Sequence, residues 1–160
     1  MNAWTSLPDH ARIWFYGAKR PLTADEVAEI SRKLDAFCAD WAAHGAKLSC
    51  GYSILNNQLI LLGVDEAIAS ASGCSIDTSV RLFQELDAEY QLDLFNRLRI
   101  FVKDGEQIRS LMAQEIKSEL EQGYLHGDSL VIDALVHTKE AVETNLIKPL
   151  NQTWLARYLS

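Results

Sequence analysis

LSCGYSILNNQLILLGV, Leu48 to Val64, decides how the chain is organised. Leu48, Cys50, Tyr52 and Ile54 alternate with Ser49, Gly51 and Ser53, the two-residue period of a strand with one buried face. Asn56 and Asn57 follow, and asparagine accepts the positive φ that a tight hairpin turn demands. The return segment Leu59–Val64 (LILLGV) has no polar alternation, which predicts a central strand covered on both faces. A tight hairpin forces antiparallel pairing, so a doubly wound parallel fold is disfavoured from the outset.

Upstream, Arg12–Tyr16 has strand composition, and Gly17 and Pro21 separate it from a helix beginning at Thr23. Thr23 and Glu26 form a capping box, with Leu22 and Val27 placed as a hydrophobic staple. Val27, Ile30, Leu34, Phe37 and Trp41 make one apolar stripe, and Gly45 is the expected stop. Downstream, Ile76, Val80, Phe83, Leu86 and Tyr90 mark a second amphipathic helix. Leu98, Ile100 and Val102 alternate, and Asp104-Gly105 signals a hairpin into Glu106–Leu111. A helix over about Ala113–Gln122 ends at Gly123, Leu130–Val136 is a strand or a buried helix start with its β-branched content favouring the strand, and a helical pattern past Thr138 stops before Pro149 and a short closing helix at Trp154–Leu159. The expected fold is α+β: one domain over residues 1–160, with helices layered on one mostly antiparallel sheet.

Fifteen basic against 22 acidic residues leave a net charge of -7, which disfavours nucleic acid and anionic membrane surfaces as partners. No apolar run approaches the length of a membrane span, and the N-terminus lacks the basic-then-apolar pattern of a secretion signal, so a cytoplasmic protein is expected. Cys38, Cys50 and Cys74 show no metal-finger spacing, and an odd count predicts reduced thiols, with Cys38 and Cys50 inert on core faces.

Chemistry-bearing residues concentrate in SGCSIDTSVR, Ser72 to Arg81. With Ser75 as N-cap, Asp77 falls in the first turn, and Asp77, Arg81 and Glu85 form a ladder of i,i+4 pairs. The same geometry admits a small anionic ligand at Ser72, Gly73, Ser75, Asp77, Ser79 and Arg81, through free N–H groups, hydroxyls and a guanidinium; Asp77 already occupies part of the anion's place. Cys74, just ahead of the helix, is a candidate nucleophile if one of His10, His44, His126 or His137 approaches it, or else a small buried side chain in a tight turn. Asp65 and Glu66, at the end of a buried strand, with Asp77 form a candidate oxygen ligand set for a magnesium-like ion in a phosphohydrolase, or else open a solvated loop. The aromatic residues Trp14, Tyr16, Trp41, Tyr52 and Trp154 are assigned to packing.

The stretches RIWFYGAKRPLTADEVAEI, VDEAIASASGCSIDTSVRLFQEL, DLFNRL and VKDGEQ together resemble a family of small bacterial proteins that carry the name ABC transporter ATPase. The resemblance spans about Arg12 to Trp154 and is most specific in Ala71–Asp77; it implies a shared fold and brings no established activity. A transporter ATPase needs a GxxxxGK[ST] loop to cradle phosphates, and no glycine here is followed by lysine. LILLGVDE is similar to a Walker B strand and Ser72-Gly73 to a signature loop, but their order is inverted. The expectation is a binding or interaction domain centred on Ser72–Arg81, with a thiol- or metal-dependent enzyme as the alternative and no cofactor named.

Overall fold

The computed structural model describes residues 3–67 and 69–160. The hairpin expected over Leu48–Val64 is present: β4 (Ser49–Leu55) and β5 (Leu59–Asp65) are antiparallel, and Asn56 and Asn57 turn between them at φ 54° and 52°. β1 (Arg12–Gly17) pairs with the other edge of β5, giving the order β1-β5-β4. β5 is therefore central, and alternate side chains serve opposite faces. Ile60, Leu62 and Val64 enter a core with Ile30 and Leu34 of α1 (Ala24–Asp40) and Phe83 and Leu86 of α2 (Gly73–Tyr90). Leu59 and Leu61 face the other way, toward Phe101 and Ile108.

Those last residues belong to a second sheet. Where one sheet was expected, the chain builds two principal ones and a short ribbon; the additional sheet has the order β7-β6-β8-β9, from β6 (Arg99–Asp104), β7 (Gln107–Met112), β8 (Leu130–Ile132) and β9 (Ile147–Pro149). All its ladders are antiparallel. Its outer face, Ile100, Val102, Leu111 and Val131, is covered by Ile116 of α3 (Ile116–Glu121) and by Leu150 and Leu155 of the C-terminal 3-10 turns. The result is an α+β stack: helices, sheet, sheet, helix. The unbroken apolar run of β5 has the predicted cause, two covered faces, although the second cover is a sheet. Close approach between the sheets requires Gly17, where a Cβ would lie 2.2 Å from Cζ of the Phe101 ring.

Several boundaries differ from the sequence reading. α1 ends at Asp40, and Gly45 (φ 79°) instead turns, with His44, between β2 (Ala42–Ala43) and β3 (Ala46–Lys47). Trp41 leaves the helix in extended conformation because its indole N–H donates to the carbonyl of Ser75, 2.9 Å away on α2. In the second hairpin Asp104 pairs with Gln107, so Gly105 takes the first turn position and Glu106 the second. The strand expected over Leu130–Val136 is limited to β8, beyond which Val136 N–H closes a turn onto Asp133. Cys38 and Cys50 are not reduced: they form a disulfide, their Cα atoms 5.2 Å apart, joining α1 to β4 across the core. Buried Lys139, on α4 (Lys139–Asn145), donates to the Leu7 carbonyl at 2.6 Å and holds the N-terminal turn Trp4–Ser6.

The capping box at Thr23 and Glu26 forms as expected, and Glu26 carries more than the cap. Its two oxygens receive both terminal nitrogens of Arg20 at 2.8 Å, while Arg20 also donates to the Tyr90 carbonyl at the end of α2. The Arg20 hydrogen bonds, reinforced by the Thr23 N–H, lower the Glu26 pKa from 4.5 to about 2.

Two measurements check this architecture. Gly17→Ala is expected to destabilise the protein by about 1–3 kcal/mol, through overpacking against Phe101, and adding Phe101→Leu should recover part of the loss in denaturant melts. The folded-state pKa of Glu26 is depressed, so its stabilisation is complete above the unfolded value and lost as pH falls from about 4.5 toward 2. Glu26→Gln should cost about 1–2 kcal/mol at neutral pH, allowing for solvent screening, and flatten the stability–pH curve across that acid window.

Candidate functional site

The Ser72–Arg81 stretch is a helix start, displaced by one turn from the sequence reading. Ser72, not Ser75, is the N-cap: the Ser75 N–H donates to Ser72 Oγ at 3.1 Å, and the Ser72 N–H donates to Ser75 Oγ at 2.7 Å. This is a capping box with serine where Glu or Gln is usual. S-x-x-S at Ser72–Ser75 carried that signal. Gly73, Cys74 and Ser75 are consequently the first three helical residues, and Asp77 lies beyond the first turn.

The shift reassigns each side chain. Ser75 and Ser79 face the core, and their hydroxyls donate to the Ser72 carbonyl at 2.8 Å and the Ile76 carbonyl at 2.6 Å. Neither hydroxyl is turned to an incoming ligand. Asp77 and Arg81 are exposed, and the Asp77–Arg81–Glu85 ladder is absent from the ion pairs among the described residues. Cys74, expected just ahead of the helix, is in it and is an exposed free thiol. No histidine among the described residues hydrogen-bonds to it; His10 instead lies against Asp65, Nε2 to Oδ1 at 3.2 Å.

Asp65 and Glu66 organise the connection from β5 to α2. Asp65 Oδ1 accepts from the Ala67 N–H and Glu66 Oε2 from the Ala71 N–H, each at 2.9 Å, and Arg12 Nη1 lies 3.7 Å from Glu66 Oε1. Their oxygens serve the loop rather than converging with Asp77: among the described residues no three His, Cys, Asp or Glu side chains are grouped as a metal site.

The stretch is adjacent to a larger feature. α1 and α2 run antiparallel, joined by the Lys33–Glu89 ion pair, midway along α1 and near the end of α2, and by the Trp41–Ser75 hydrogen bond where α1 ends and α2 begins. Between these ties lies a groove of about 700 Å³. Half-buried Phe37 and Leu82 supply its accessible apolar lining over a floor of the buried core residues Trp41 and Leu86, Ala36 and Ala42 keep one wall low, and Arg32, Asp40, Thr78 and Glu85 stand on its rim. The Phe37 and Trp41 rings sit 5.0 Å apart, centroid to centroid, and fix the groove's aromatic end. Sequence periodicity identified Phe37 and Trp41 only as core residues; the α1 half of the groove has no local signature, because it exists only once α2 lies beside it.

No family model, no curated protein and no solved structure matches this chain.

The capping geometry is checked by thermal and denaturant melts of two variants. Ser72→Ala should cost about 1 kcal/mol through loss of the cap. Arg81→Ala, at an exposed position with no ion-pair partner among the described residues, should stay within about 0.5 kcal/mol.

Proposed function

We propose that this chain is an interaction module that docks an amphipathic helical segment of another protein between α1 and α2. The observation that carries the reading is the groove itself: two helices tied at two points and open between, with half-buried Phe37 and Leu82 on its walls and the buried Trp41 and Leu86 at its floor. Docking an apolar helix face removes the accessible parts of Phe37, Leu82, Ala36 and Ala42 from water, at roughly 25 cal/mol per Å² of gross gain. Along α2 the lining runs from Thr78 to Glu89, about 16 Å at 1.5 Å per residue, or three turns of a guest helix. That elongated shape favours a segment over a compact small molecule.

The groove also supports a change from the expected centre of binding. Ser72, Gly73 and Ser75 build the start of α2, and Ser79 packs beneath it, so this stretch positions one wall of the groove. The GxxxxGK[ST] loop with which a transporter ATPase cradles nucleotide phosphates is absent from the sequence, and helix docking needs no nucleotide.

The test uses an uncharged probe: a helical peptide of about 14 residues with leucines at i, i+3, i+4 and i+7 and glutamines elsewhere. In a titration followed by amide chemical shifts, the perturbed signals should centre on Phe37, Trp41, Leu82 and Leu86. Leu82→Glu should weaken binding by roughly tenfold or more. Ala36→Gln, which narrows the groove from its exposed wall without entering the core, should do the same in a protein of unchanged stability. Perturbations elsewhere on the surface, or binding indifferent to both variants, would remove the groove from this role.

A further inference from the structure

Resting on the groove as the docking site, we infer that its partner is a basic amphipathic helix, selected by two carboxylates, Asp40 and Glu85, that have no counter-ion among the described residues. Of the five charged side chains that line the groove, three are already matched. Arg32 pairs with Glu29 on its own helix, and Lys33 and Glu89 pair with each other across the groove's end. The remaining two, Asp40 on α1 and Glu85 on α2, have no ion-pair partner among the described residues, and both are acids. Both are exposed and line the groove from different helices, beside the accessible apolar surface of Phe37 and Leu82.

A helix that lays leucine-like side chains along that lining directs the flanking positions of its own surface toward the two rims. Lysine or arginine there meets an acid on each side; glutamate there meets like charge on each side. The net charge of -7 acts in the same direction at longer range, drawing a cationic segment in and holding other copies of this acidic chain apart. The apolar lining thus supplies attraction without sign, and Asp40 and Glu85 supply the choice among amphipathic helices.

Three peptides with the same leucine positions, and lysine, glutamine or glutamate elsewhere, separate these contributions. Each is titrated against the full chain by fluorescence anisotropy at low and high salt. The lysine peptide should bind roughly tenfold tighter than the glutamine peptide, and the glutamate peptide weakest, with the differences shrinking as salt rises. Asp40→Lys combined with Glu85→Lys should abolish the order. Glu121→Lys combined with Asp128→Lys, exposed positions outside the groove with the same change in net charge, should preserve it. If both double variants lose the preference equally, bulk charge is responsible and the inference fails. Equal binding of all three peptides that is still weakened by Leu82→Glu would leave the groove as a docking site and overturn its preference for basic partners. No binding of any peptide would overturn the docking reading itself. A dimer in sedimentation analysis that Leu82→Glu dissolves would put a second copy of this chain in the groove and overturn the inference.

Discussion

β5 has no solvent side. Leu59, Ile60, Leu61, Leu62 and Val64 are fully buried, the strand is paired along both edges, and its faces open onto two separate cores. At about 1.5–3 kcal/mol gross per large apolar side chain removed from water, this one strand contributes on the order of 10 kcal/mol before chain entropy is set against it. Both of its faces must be covered for that gain to be realised. The helix pair answers one face and the second sheet the other, so the burial of this strand requires a layer on each side of it without dictating which.

The helix layer is held at its ends more than along its length. Arg20 fastens the segment before α1 to the last carbonyl of α2, Lys33 and Glu89 join the helices nearby, and the Trp41 indole reaches the first turn of α2 at the far end. The disulfide from Cys38 to Cys50 anchors the last turns of α1 to the sheet below. With the ends fixed and the lower faces committed to the sheet, the upper surfaces of the two helices remain apart, and the groove is what lies between them. A groove made this way is shaped by the fold itself, so the ordering cost for a guest bound there would be low.

The Ser72–Arg81 stretch shows how closely a cap and an anion site resemble each other in sequence. Both use small residues, hydroxyls and free N–H groups. They differ in where the hydroxyls point, and a one-turn shift of the helix start decides that. With Ser72 as N-cap, Ser75 completes a reciprocal box and Ser79 turns inward, whereas a start at Ser75 would have placed Asp77 in the first turn. The Trp41 indole on the Ser75 carbonyl and the Glu66 carboxylate on the Ala71 N–H fix the earlier start, and both contacts come from outside the helix.

What the sequence by itself determined is what lies within a few residues along the chain. The Thr23–Glu26 capping box, the Asn56-Asn57 turn, the antiparallel β4–β5 hairpin and the two-sided burial of β5 were all legible, because each is a local conformational preference or a short period of apolar residues. Tertiary structure alone decided the division into two sheets, the meeting of Cys38 with Cys50, the burial of Lys139 against the N-terminal turn and the groove between α1 and α2. Each of these joins residues whose separation in sequence carries no periodic signal. Apolar patterning specifies that a face must be covered and is silent about what covers it. Asp40 and Glu85 illustrate the same limit: nothing near either residue distinguishes it from an ordinary solvated acid until folding places both beside one apolar lining.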